Sequence, residues 1–160
     1  YFSSKDAILE ALVERNYEAP ITTARHLAEQ REISPFTRMA LIFQACRNSS
    51  AAFLKTQPST TKAAPERAFL HQKYMNHLIV SLKPVLASII EQGIAQDLIL
   101  CADPLSLAEI VLIVLTVKMD NTLVPSTADE IEQTISALVS LLEKGTENPV
   151  GSLNFLMAQL

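Results

Sequence analysis

Three histidines, two cysteines and a set of carboxylates are the residues of this sequence able to do chemistry, and their spacing keeps them apart. His71 and His77 lie six positions apart in a helical stretch, so they point to different faces. A helical metal site needs a spacing of three or four, and His26 is remote from both. Cys46 and Cys101 each sit beside apolar residues, in Gln44-Ala45-Cys46 and Ile99-Leu100-Cys101, with no CxxC and no neighbouring histidine. They read as free buried thiols of a reducing cytosol, with a disulfide or redox switch as the alternative. Asp6, Glu66, Asp103, Asp129 and Glu130 fall at helix starts, where they suit the positive end of the helix dipole. No Gly-rich phosphate loop, GxSxG, HExxH or Ca²⁺ loop occurs. The sequence therefore argues against an enzyme, and it calls for no cofactor and no metal.

What remains is a surface for holding a molecule. His71, Met75, Leu78 and Leu82 follow one another at four, three and four residues, so they share a helix side, with Tyr74 and His77 flanking it. A mostly apolar face with a few polar tips is what a ligand pocket needs. Met39, Phe43 and Phe53, on preceding helical stretches, can complete it. The candidate ligand set is Met39, Phe43, Phe53, His71, Tyr74, Met75 and Leu78; plain core packing would use the same residue types. Charged residues are sparse on these faces, so the ligand should be small and mostly apolar. A helical module that binds a peptide or protein, with no small-molecule pocket, is the rival reading.

The elements that position these residues are helices. The chain is 160 residues long, 49% hydrophobic and 19% charged, which excludes disorder and predicts a sizeable core. It has three glycines and no tryptophan, and so few glycines suit long helices better than sheets with their turns. The net charge is −4 and the basic residues are scattered, a poor match to nucleic acid phosphates. The most apolar run, from Ile110 to Val117, is bracketed by Glu109 and Lys118 and is far short of the ~20 residues that span a bilayer. No signal peptide is seen. A cytoplasmic protein with no membrane partner is expected.

Along the chain, Ser4 caps a first helix that runs to about Arg31, with Pro20 bending or interrupting it. Ser34-Pro35 starts a second helix. Asn48-Ser49-Ser50 can interrupt it, leaving a short helix from Ala51 to about Thr56. Gln57 to Lys62 reads as a loop. A long helix follows from about Pro65 to Gln92, kinked at Pro84 and ended by Gly93 in the left-handed cap position. Asp103-Pro104 opens a helix to about Leu123 that is apolar almost all round, so more than one side must be covered. Pro125-Ser126-Thr127-Ala128-Asp129 reads as a capping box with Ser126 as the cap and Asp129 reaching back. Ile131, Ile135, Leu138, Val139 and Leu142 then form one stripe, and Gly145 ends that helix. The segment 146–160 carries Leu153, Phe155, Leu156 and Met157, and either docks on the core or is partly loose.

One short stretch adds a family resemblance. Tyr1-Phe2-Ser3-Ser4-Lys5-Asp6-Ala7-Ile8-Leu9 resembles the junction in TetR-family transcriptional repressors, where an aromatic pair ends the helix-turn-helix head and a Ser-Lys-acid turn leads into the body. Ile90-Glu91-Gln92-Gly93 followed by Asp103-Pro104 is similar to the break before that family's last two helices. The resemblance implies an all-α antiparallel bundle of about six helices, the last two forming a four-helix interface in a homodimer. It divides the chain into a remnant of the DNA-binding head (1–4), a ligand-binding and dimerisation domain (5–145) and a C-terminal tail (146–160). The dimer surface is expected at Leu112, Leu115 and Met119 of one helix and Ile135, Leu138, Val139 and Leu142 of the other. Tyr1 and Lys5 would lie at DNA phosphates; DNA is engaged only through a head that this sequence lacks, so these residues alone give no specific DNA binding. The implied function is repression released when a small apolar effector enters the body.

Overall fold

The computed structural model describes residues 4–56, 64–120 and 124–159. Its regular elements are helices: α1 (Lys5–Glu29), α2 (Pro35–Thr56), α3 (Ala64–Ala95), α4 (Pro104–Asp120) and α5 (Ala128–Gly145), followed by a 3₁₀ helix over Asn154–Gln159. The all-α bundle expected from composition and periodicity is the observed fold. Tyr1 and the predicted loop from Gln57 to Lys62 lie outside the described residues, as does Leu123, the predicted end of α4.

Ser4 caps α1 by accepting the amide of Ala7 at 3.2 Å. Pro20 stays inside α1 and is fully buried. A proline lacks the amide that would bond the carbonyl four residues back, so it leaves the Asn16 carbonyl without its helical donor. Ser49 of α2 supplies the replacement, donating its hydroxyl to that carbonyl. Here the sequence reading is corrected: Asn48-Ser49-Ser50 does not interrupt α2, which runs unbroken to Thr56. Serine weakens helices because its hydroxyl competes for backbone groups, but this hydroxyl is spent on α1.

The end of α3 differs in a similar way. The helix continues through Gly93 to Ala95, and the left-handed residue is Asp97, at φ 56°. Gly93 is there for space: a Cβ on it would lie 2.6 Å from Ile99 Cδ1. The loop folds back so that the amide of Leu98 donates to the Gly93 carbonyl at 2.9 Å.

α4 is capped by Asp103, whose carboxylate accepts the amide of Ser106 at 3.0 Å and its hydroxyl at 2.6 Å. The cap of α5 is one residue later than expected. Thr127 accepts the amide of Glu130 at 3.3 Å, and Glu130 accepts the amide of Thr127 at 2.7 Å. Ser126 instead accepts the ammonium of Lys118 at 2.8 Å, tying the start of α5 back to α4.

α1 packs on α2 and α3, and α4 packs on the other side of α3. The core runs through all of them, from Tyr17 and Ile21 through Ile42, Leu82 and Ile89 to Leu112. The segment after α5 belongs to this core: Leu153 and Leu156 are buried, and the 3₁₀ helix rests on α2 and α5. By length and composition α3 is apolar enough over Ala68–Ala95 to cross a membrane. Its apolar residues Tyr74, Leu78, Leu82, Leu86 and Ile89 are core, and the core accounts for its apolar character.

Candidate functional site

An apolar cavity of about 50 Å³ lies at the end of the bundle remote from the start of α1. α2 contributes Phe36, Met39 and Phe43 to its lining; α3 contributes Leu86 and Ile90; α4 contributes Leu107, Ala108 and Val111. Ile99 comes from the loop between α3 and α4, held there by the space Gly93 leaves. The remaining wall is Leu142 of α5 with Leu153, Phe155 and Leu156 beyond it. Thr146 and Asn148 are the polar members of the lining. Asn148 donates its side-chain amide to Thr146 Oγ1 at 2.9 Å, and Thr146 donates to the Leu142 carbonyl at 2.6 Å. A space lined this way excludes ions, because a charge brought into it loses its hydration without a partner.

The sequence-predicted ligand residues divide between two places. Met39 and Phe43 line the cavity. His71, Tyr74, Met75 and Leu78 do not. They lie at least two turns nearer the start of α3 than Leu86, where Tyr74, Met75 and Leu78 are buried core. Tyr74 donates to Ser49 Oγ at 3.2 Å and its hydroxyl lies 3.2 Å from Ser50 Oγ. Its ring lies 5.8 Å from that of Tyr17 and 6.3 Å from that of His71. Burial raises the Tyr74 hydroxyl above the usual phenol range, with the two serines pulling the other way. The face chosen from the 4-3-4 spacing is thus a polar joint between α1, α2 and α3. The side chain of Phe53 lies outside the described residues.

At the outer seam of α1 and α3, Lys73 pairs with Glu10 at 2.8 Å and His77 Nε2 lies 3.1 Å from Glu18. Both pairs are exposed, and such pairs contribute little to stability. Cys46 and Cys101 are unbridged. Burial pushes the Cys46 thiol up to about 12, so at neutral pH it is a protonated, unreactive packing group. Among the described residues, no three His, Cys, Asp or Glu side chains are grouped to hold a metal ion.

Two groups escaped the sequence reading. Arg38 is fully buried at the start of α2. Its guanidinium donates to the Ala28 carbonyl at 3.3 Å and to Gln92 Oε1 at 2.7 Å, and Gln92 in turn donates to the Ala28 carbonyl at 3.2 Å. It thereby satisfies the open carbonyl end of α1 and ties α1, α2 and α3 together; burial lowers its pKa from the ordinary arginine value. Glu143 is buried on α5, and its Oε1 accepts the amides of Gly151 and Leu153 at 2.8 and 3.0 Å. Its position was the available signal, since it continues the stripe of Ile135 and Val139 by four residues.

The expected dimer residues face inward. Leu112 and Leu115 on α4, and Ile135, Leu138 and Val139 on α5, are buried in the chain's own core, and Leu142 lines the cavity. The side chain of Met119 lies outside the described residues. An almost uniformly apolar α4 does not say which side its own chain covers. The side left open carries Leu105, Ile110 and Ile113, which are 47%, 52% and 44% exposed, and Leu141 of α5 is 69% exposed. Lys5, the expected phosphate contact, is exposed at the first turn of α1.

Fold and cavity together define an all-helical domain with an apolar cavity near one end of its bundle. The sequence matches the family described as tetracycline repressor-like, C-terminal domain, over residues 54–141. The chain belongs to that family of regulator domains. No curated protein and no solved structure matches it.

Proposed function

We propose that this chain is the effector-sensing and dimerising domain of a TetR-like transcriptional regulator. A small, mostly apolar molecule occupies the cavity among α2, α3, α4 and the segment after α5. Its binding favours one arrangement of the helices, which α1 carries to a DNA-reading head, and DNA is released. The observation that carries this reading is the cavity itself: almost wholly carbon-lined, set among α2, α3, α4, α5 and the segment beyond it, with Thr146 and Asn148 as its polar members. Such a ligand acts only through its different affinity for the two arrangements.

The dimer in this reading uses the open side of α4. Ile110 and Ile113 are large, exposed and adjacent on one helix face, and covering an aliphatic side chain is worth roughly 1.5–3 kcal/mol. The protein is soluble and non-enzymatic in this reading, with a second copy of itself and a neutral effector as its partners.

Nile red, a neutral apolar fluorophore, tests the pocket. Binding should be saturable, and Ala108→Leu, which fills the cavity from α4, should abolish it while leaving the helical circular-dichroism spectrum intact. Equal binding by both proteins would place the dye on the surface and remove the support for an effector site. The peptide-binding rival predicts that equal result, with competition by an amphipathic helix at Ile110 and Ile113.

A further inference from the structure

We infer that residues 148–157 form the yielding wall of this cavity, a gate that contacts the ligand directly; the inference rests on the effector-pocket reading. The cavity, about 50 Å³ and partly open at its mouth, has room for a few atoms. Sites that enclose a metabolite-sized molecule are several times larger. Such a ligand fits only when a wall moves to enlarge it.

Three walls are poor candidates for moving. α2, α3 and α4 are continuous helices of 22, 32 and 17 residues, each packed on another helix. Beyond Ile99 and, on α5, Leu142, the rest of the wall is a turn leading into a six-residue 3₁₀ helix, a form with weaker hydrogen-bond geometry that seldom persists alone. Several of its hydrogen bonds are internal: Ser152 to Pro149, Asn154 to Gly151 and Leu156 to Leu153. The segment can therefore leave the core as a unit without breaking them.

Two of the backbone hydrogen bonds that hold it converge on one side-chain atom. The amides of Gly151 and Leu153 both donate to Glu143 Oε1, and Glu143 is only 5% exposed, so water does not compete for the bond. Gly151, at φ 91°, is the left-handed residue that aims both amides the same way. On the hinge side the chain stays fixed, because the Thr146 carbonyl accepts the amide of Leu100 at 3.1 Å. Glu143 is thus a positioning residue that sets how often the gate opens, and Leu153, Phe155 and Leu156 are ligand contacts. The ligand class that fits is a neutral, largely hydrocarbon molecule with at most one hydrogen-bonding group, placed near Thr146 and Asn148.

The test uses the whole 160-residue chain, with Nile red association followed by stopped flow and amide exchange followed by NMR. Glu143→Ala should speed association about tenfold, the effect of losing a shielded pair of bonds to one carboxyl group. Glu143→Gln keeps an oxygen acceptor and should stay near the wild-type rate. In the unliganded protein the Gly151 and Leu153 amides should exchange by local opening, well before the central amides of α3. Dye binding with one association rate in all three proteins overturns the gate and leaves the pocket standing. Exchange of Gly151 and Leu153 only through global unfolding overturns it as well. Failure of every one of these proteins to bind Nile red removes the effector pocket and the gate with it.

Discussion

Ser49 on α2 donates its hydroxyl to the Asn16 carbonyl on α1, the carbonyl that Pro20 leaves without a helical donor. The same hydroxyl accepts from Tyr74 on α3. A side chain thus completes a hydrogen bond that the backbone of α1 cannot make. Ser49→Ala should lower stability by about 1–3 kcal/mol, because it strands a buried carbonyl and leaves the buried Tyr74 phenol to Ser50. With Pro20→Ala in place the α1 amide is restored and the cost of Ser49→Ala should shrink. Urea denaturation of the four proteins of this cycle measures that coupling; strictly additive costs would mean the serine does not stand in for the missing amide.

Arg38→Ala should cost about 2–4 kcal/mol, since it removes buried packing and the donors that close α1 against Gln92. Arg38→Met should cost less, because an apolar chain of similar length refills the space without a buried charge. Chemical denaturation separates the two. Equal losses would mean that packing contributes nothing and the hydrogen bonds everything.

Gly93→Ala gains helix propensity but drives a methyl against Ile99, whose Cδ1 would lie 2.6 Å away. The net effect should be a loss of about 1–2 kcal/mol. Ile99 lines the cavity, so its displacement should also weaken Nile red binding. A more stable protein with unchanged dye affinity would show that the loop yields freely.

Ile113→Glu places a charge at the centre of the open side of α4. On the dimer proposed above, the expected outcome is a monomer in sedimentation velocity at concentrations where the wild type associates, with the fold retained. An unchanged dimer would move the interface elsewhere.

The caps of α4 and α5 make an acid-sensitive pair. Hydrogen bonds from Ser106 hold Asp103 below the usual carboxylate range, and those from Thr127 do the same for Glu130. A depressed folded-state pKa gives stability that is present above the unfolded-state value and is lost as pH falls through the folded-state value. The thermal midpoint should therefore fall on acidification below the ordinary carboxylate range. Asp103→Asn combined with Glu130→Gln should flatten that acid limb, and an acid limb of unchanged slope would assign it to other carboxylates.

The helices were legible because their signals are local. Serine and aspartate caps, prolines at first positions and the stripe from Ile131 to Leu142 each act within a turn or two. Ser126 and Thr127 read alike as caps because adjacent hydroxyls offer the same chemistry, and only the geometry of Glu130 separates them. The site was less legible because its parts are assembled across the chain. Met39 and Phe43 could be suspected from their helix face, but Leu153 and Leu156 become cavity wall only when residues 149–156 fold back onto α2. His71 and Tyr74 have the composition of a pocket but lie away from the cavity, and a tyrosine satisfied by Ser49 reads in sequence like one waiting for a ligand. The inward turn of Leu112 and Leu138 had no signature, because α4 is apolar on nearly every side.

The clamp at Arg38 has a mechanical corollary for α1. Ala28 is held at one end of a rod of 25 residues, Asn16 lies about 18 Å along it, and Lys5 about 16 Å further. A rigid lever with its fulcrum at Ala28 magnifies any sideways step at Asn16 nearly twofold by the time it reaches Lys5. Spin-label distances taken at positions 15 and 5 against α3 would report that ratio directly, and equal displacements at the two would mean the rod slides instead of swinging.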